Sequence, residues 1–299
     1  MSHSHHHPAP AEYGKAFALG VALNLIYVAV EAGYGFAIGS LALLSDAGHN
    51  LSDVVGLLLA WGGHTLASVA PSPRRTYGWR GASVLAALGN ALLLLAAIGA
   101  IAWEAVHRLA EPAEIVGLPV VVVASIGVVI NTATALLFWS GRQHDLNVRG
   151  AFLHMAADAG VSVGVVLAGL GIYATGWTWI DPATSLVIAA VIFFSTWSLL
   201  LASVNLAIQG VPEGIDPTEV HDYLASLDGV AAVHDLHIWA MSTSETALTA
   251  HLVRPTLTDE DEFLHRTADA LHDRFGIEHT TLQIERGTGS CHLNDPGRV

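Results

Sequence analysis

Ser45-Asp46-Ala47-Gly48-His49-Asn50-Leu51-Ser52-Asp53 and, about a hundred residues later, His154-Met155-Ala156-Ala157-Asp158 decide how this chain is read. Each stretch carries a His and an Asp four positions apart, inside a long apolar run. On a helix, positions i and i+4 point the same way, about one turn apart. His49 therefore shares a face with Asp53, and His154 with Asp158. Two such helices side by side bring two imidazoles and two carboxylates together. That donor set suits a small divalent cation in tetrahedral geometry, zinc first. The plainer alternative is a pair of local helix contacts, but ionisable groups at membrane depth are costly and usually functional.

The composition says where those helices sit. The 299 residues are 53% hydrophobic and 13% charged, with a mean hydropathy of +0.51. Soluble domains average about 25% charged. The charge is also uneven. From Gln209 onward sixteen acidic residues accompany five Arg, whereas the longer segment before it holds ten acids and seven Lys/Arg. The first part reads as a membrane domain and the second as an acidic soluble one. A formal charge of −14 argues against nucleic-acid binding, which needs a basic patch. The single cysteine, Cys291, leaves no disulfide within one chain and fits a reducing compartment. The N-terminus lacks the basic-then-apolar layout of a secretory signal.

Residues 1–13 form a polar tail with His3, His5, His6 and His7. A tag remnant or solvated tail and a flexible metal-gathering segment both remain open. Residues 14–208 hold six apolar stretches near the roughly 20 residues a spanning helix needs: about 17–38, 41–69, 82–106, 116–139, 152–175 and 183–206. The first His/Asp pair lies in the second stretch and the other opens the fifth. Asn24, Glu31, Asn90 and Asn131 are expected to face the bundle rather than lipid, chiefly as interhelical hydrogen bonders, and the third stretch also carries Glu104. Asp46, seven residues before Asp53, lines the cavity, relays protons or makes a polar contact, and the spacing does not choose. Lys15, Arg74, Arg75, Arg80, Arg142 and Arg149 fall on one side of the six stretches and only Arg108 on the other. The positive-inside rule then places both termini in the cytoplasm, with Trp177 and Trp179 at the far interface.

Residues 209–286 read as a small α+β unit. Asp216 caps a helix to about Leu227, with Pro217 first and Glu219 in its opening turn. A strand over 230–240 is expected to alternate, with Val233, Asp235, His237 and Trp239 on one side and His234, Leu236 and Ile238 on the other. Met241–Ser244 is short enough for a hairpin into a second strand over 245–253. A helix over about 259–275, opened by Thr258, and a strand over 280–285 complete an αββαβ order. Residues 287–299 read as a flexible tail.

These features together resemble the cation diffusion facilitator family of metal/proton antiporters, in its bacterial zinc-exporter branch. The resemblance runs from about Leu19 to Glu285. It rests on Ser40 to Asp53, on Tyr77-Gly78-Trp79, on Leu146-Asn147-Val148-Arg149 and on Val233-His234-Asp235-Leu236-His237-Ile238-Trp239. It implies an α-helical membrane protein of six transmembrane helices with a C-terminal cytosolic ferredoxin-like αββαβ domain, working as a homodimer in the cell inner membrane. It implies that His49, Asp53, His154 and Asp158 form the transport site, and that a His/Asp pair on the second helix goes with zinc preference. It further implies a cytosolic metal site at His234, His251, His265 and Glu285, with Gln283 a poor ligand at one further position. His237, His272, His279, Cys291 and His292 are additional candidates that read equally as surface or hydrogen-bonded residues. Where many members carry a His for a membrane-surface metal, this chain has Arg80, which cannot ligate.

The expected activity is export of Zn2+ in exchange for H+ by alternating access, because protons compete with metal for imidazole, whose unperturbed pKa is about 6.5. The alternatives are an exporter of broader range (Cd2+, Co2+, Ni2+, Mn2+) and a membrane-anchored zinc sensor. Six helices with buried acids exceed what an anchor needs. A zinc enzyme would want a set such as HExxH with an open position for water, and no HExxH occurs. A carrier of organic substrates would want a larger polar cavity and a repeat beyond the paired His/Asp motif.

Overall fold

The computed structural model describes residues 14–67, 69–111, 113–137, 139, 146–256 and 260–287. The His-rich tail, Arg142, Thr258, Asp259, Cys291 and His292 lie outside the described residues, as do the side chains of Lys15, Asp53 and Arg149. Six long helices come first: α1 (Gly14–Ile38), α2 (Leu41–Ala67), α3 (Ala82–Ala110), α4 (Gly117–Leu137), α5 (Leu146–Thr175) and α6 (Ile180–Ala207). By length and apolar composition alone, four of the described helices are long enough to cross a membrane, those of α3 to α6. The described part of α1 contributes a shorter apolar run, Ala22–Ile38. Then follow α7 (Pro217–Ala225), β1 (Ala232–Ala240), β2 (Thr246–Val253), α8 (Glu260–Phe275) and β3 (His279–Glu285).

The chain divides into two compact units, residues 1–58 with 92–197 and residues 59–91 with 198–299. In the first unit several ionisable and amide groups are inside while many large apolar ones are outside. Glu31, Asp46, Asn50, Asn131 and Asp158 are buried, while Phe36, Leu93 and Phe194 are exposed. Water would penalise that arrangement on both counts, and a hydrocarbon solvent favours it. The apolar interior gathers Leu43, Ile98, Val120, Val123, Val165, Ile188 and Ile192. Gly117 and Gly169 let α4 and α5 approach backbone to backbone: a Cβ on Gly117 would lie 2.5 Å from the Gly169 carbonyl oxygen.

The start of α2, which fixes where His49 sits, is held from α6. Asp181 Oδ2 accepts the Leu41 N–H at 2.7 Å, and its Oδ1 accepts the Ser40 hydroxyl at 2.5 Å and the Ala42 N–H at 3.3 Å. A carboxylate at a helix N-terminus satisfies otherwise orphaned donors and favours the dipole. One turn on, the Ser45 and Ser185 hydroxyls lie 2.6 Å apart. The Gly39 carbonyl accepts from Arg108. Gly39 itself takes φ +69°, so the two-residue turn between α1 and α2 needs glycine.

In the second unit β1 and β2 pair antiparallel and β2 and β3 parallel, in the order β1-β2-β3. Asp216 caps α7 by accepting the Thr218 N–H at 2.8 Å. Leu248, Ala250 and Leu252 of β2 pack with Val220 and Leu224 of α7 and Phe263 and Leu271 of α8. The helices therefore cover one sheet face, and His251 points to the other. The strict alternation expected for β1 does not hold. The register slips by one between His234 and His237, where Asp235 takes φ +51°. Asp tolerates that left-handed conformation, and the bulge turns His234 to the open face, opposite His251.

Candidate metal sites

In the membrane unit the two His/Asp motifs meet. His49 Nε2 lies 3.2 Å from Asp158 Oδ1, and His154 Nε2 lies 3.7 Å from Asp158 Oδ2. The two imidazole centroids are 6.4 Å apart. Zinc bonds of roughly 2.0–2.2 Å put tetrahedral donors about 3.3 Å apart, so these spacings suit ligands waiting for a small cation. Asp158 is 1% exposed, and neither of its oxygens makes a hydrogen bond of good geometry. A bare buried carboxylate between two imidazoles is costly unless a cation joins them. Asp53 follows His49 by four residues on α2, and its side chain lies outside the described residues. A small pocket opens beside His49, lined by Ser45, Gly48, Ile98 and Ile192 among others.

On the open face of the sheet His234, His251 and Glu285 converge, each offering one donor atom within 4.8 Å of the other two. His251 Nδ1 is 3.0 Å and His234 Nε2 is 3.4 Å from Glu285. Neither ring nitrogen of the buried His234 side chain makes a hydrogen bond. Two imidazoles and a carboxylate with such an orphaned ring fit a divalent metal ion. His265 is placed elsewhere: it is exposed on α8, which covers the opposite face, so within one chain it does not join the group. Sequence reasoning passed over Asp235, which binds the edge of this cluster through His237 at 2.9 Å and His251 at 3.4 Å. Its only sequence signal was an Asp inside a strand, a residue type that tolerates a bulge.

The remaining candidates have other company. His272 is exposed beside Asp273, and the His279 ring meets Tyr77 edge-on at 5.6 Å. Gln283 donates to Glu285 at 3.1 Å. Arg80 pairs with Glu245, Nε to Oε2 2.5 Å.

The family profile described as "Cation efflux transmembrane domain" matches residues 17–206, and that described as "Cation efflux protein, cytoplasmic domain" matches residues 212–287. The metal cation efflux system protein CzcD of Cupriavidus metallidurans is 37% identical over 95% of this chain and 89% of its own length. The cadmium, cobalt and zinc/H(+)-K(+) antiporter of Bacillus subtilis is 33% identical over 95% and 92%. The zinc transporter ZitB of Escherichia coli is 35% identical over 99% and 97%. A solved metal-bound C-terminal domain of the CzcD transporter aligns with 24% of this chain and 99% of that one at 39% identity, TM-score 0.23.

Proposed function

This chain belongs to the cation diffusion facilitator family, matched along its membrane and cytoplasmic parts alike, and on that premise we propose that it exports Zn2+ from the cytoplasm in exchange for H+ by alternating access. At the coarser level it is a multi-pass membrane transporter for efflux of divalent cations, not an enzyme. The observation that carries the finer reading is the meeting of His49, His154 and Asp158; the proposal adds Asp53 as the fourth donor. Two imidazoles favour zinc over manganese or magnesium, which prefer all-oxygen sites. The same groups bind either metal or protons, so a proton-rich exterior displaces the cargo and resets the site.

Range is where a second reading stands. Two relatives carry cadmium and cobalt beside zinc in their names, and on that reading His49 ranks zinc first without excluding the others. The division into a transport domain at 14–208 and a cytosolic domain at 209–286, with both termini cytoplasmic, is part of the proposal. So is pairing of two chains through the cytosolic domain. His234, His251 and Glu285 would hold a resident metal there and stiffen the sheet face they line.

Zinc flux into proteoliposomes across an imposed pH gradient tests this, with cadmium, cobalt and manganese run in parallel. Zinc entry with opposite proton movement supports the exchange. Equal flux with and without the gradient rejects it, and equal rates for all four metals reject zinc preference.

A further inference from the structure

The membrane unit contains two carboxylates that the metal site does not use. Glu31 on α1 and Asp46 on α2 are both 0% exposed. Tyr27 donates its hydroxyl to Glu31 Oε1 at 2.6 Å, and Ser162 of α5 donates to Asp46 Oδ2 at 2.9 Å. Glu31 also faces Asp46 and Asn50. Glu31 Oε2, Asp46 Oδ1 and both amide atoms of the fully buried Asn50 make no hydrogen bond of good geometry, although Glu31 lies close enough to Asp46 and Asn50 to interact with both. Tyr27 is itself set in place by α4, where a Cβ on Gly127 would come within 2.2 Å of its hydroxyl oxygen.

Among the described residues no Lys or Arg answers these acids. Beyond Lys15, α1 has no Lys or Arg; α2, α4 and α6 have none, and α5 has Arg149 alone, in its first turn. The titratable groups around Glu31 are Tyr27 on its own helix, Asp46 and then His49 on α2, and Asp158 on α5. Helix α4 carries no titratable residue. On α6 Asp181 is engaged at the start of α2, and at the end of α3 Glu104 and Arg108 are paired with each other. Two facing carboxylates without a cation cannot both stay charged in a buried site. The small cation such a pair can hold is a proton, shared or carried on one of them.

We propose that Glu31, with Asp46 and Tyr27, is a proton-binding site separate from the metal ligands, loaded and emptied as the metal leaves and enters. This rests on the proton-exchange reading above. Glu31 lies two turns before the end of α1 and Asp46 just over one turn into α2, so the pair is on the α1–α2 turn side of His49. Asp46 is within electrostatic reach of His49 and Asp158. A cation arriving at the metal site lets the pair release its proton to water, and the two negative charges then left beside the site hold that cation. When it takes a proton back, one charge remains and the cation is released more readily. Asn50 and the Tyr27 hydroxyl supply dipoles to both forms.

The test uses the full chain and Zn2+. Titrating zinc in buffers of different ionisation enthalpy gives the protons released per zinc bound. The cytosolic cluster contributes equally to wild type and variant, so the difference isolates the membrane pair. Glu31→Gln fixes the neutral form and is expected to release roughly one proton fewer per chain, and to lose gradient-driven zinc accumulation while zinc–zinc exchange without a gradient continues. Tyr27→Phe keeps the ring and removes one hydrogen bond from the charged carboxylate. The pH at half-maximal zinc binding should rise by about one unit. Identical proton release in wild type and Glu31→Gln overturns the proposal, as does an unmoved midpoint in Tyr27→Phe should Glu31→Gln not fold. A wild type whose flux ignores the gradient removes the exchange reading itself, a separate result.

Discussion

His49, His154 and Asp158 in the membrane unit offer the same donors as His234, His251 and Glu285 on the sheet, but on different supports. The first three stand on two helices, α2 and α5, which meet here through the His49 and Asp158 side chains. The second three stand on adjacent strands already tied by backbone ladders. Helices can slide or tilt against each other without breaking their own hydrogen bonds, whereas strands in one sheet cannot. A site that must take up metal on one side and release it on the other belongs on the first kind of support. A site that keeps its metal belongs on the second. Donor chemistry alone would have assigned both the same task.

Substitutions can break that contrast or sharpen it. The largest effect is expected from His49→Ala, which should lower zinc flux on the order of 100-fold, while His251→Ala should leave flux within a few-fold; vesicle uptake measures both, and equal losses would erase the distinction. Next comes metal-induced stabilisation of the sheet. With zinc at a hundred times its dissociation constant, a bound ion adds about 2.7 kcal/mol, and His251→Ala should remove that increment in thermal unfolding of the full chain. Third, His49→Asp should raise the manganese-to-zinc flux ratio by about tenfold, because it makes the α2 pair all-oxygen. Removing the α2 cap with Asp181→Ala is expected to cost about 1–2 kcal/mol of stability, read by denaturation in detergent. The smallest change belongs to Arg80→Gln. Its ion pair with Glu245 is about one-third exposed on both sides, and such pairs contribute under about 1 kcal/mol.

The helix-borne motif was legible because a helix turns a sequence spacing into a spatial one: four residues are one turn. Pairing of the two motifs needed only that α2 and α5 come together. The sheet site was less legible for a physical reason. Its three donors come from three strands, and His234 reaches the open face only because the backbone at Asp235 turns left-handed. Period-two alternation, applied evenly, put His234 and His237 on opposite faces. His265 shows the same limit, since which face α8 covers follows from Phe263 and Leu271 packing beneath it. Glu31 and Asp46 were visible as acids in apolar runs, but their facing each other depends on how α1 and α2 pack after the Gly39 turn.

Asp158 is the residue on which both membrane imidazoles converge, so it gives the most direct test. Proteoliposomes holding equal amounts of folded wild type and Asp158→Asn should be compared for zinc uptake under the same pH gradient. Asn keeps the shape and removes the charge. The account predicts wild-type uptake and no measurable uptake in the variant, with zinc still bound by the cytosolic cluster. Uptake by Asp158→Asn at the wild-type rate would contradict it, and the convergence of His49, His154 and Asp158 would not be the route of the metal.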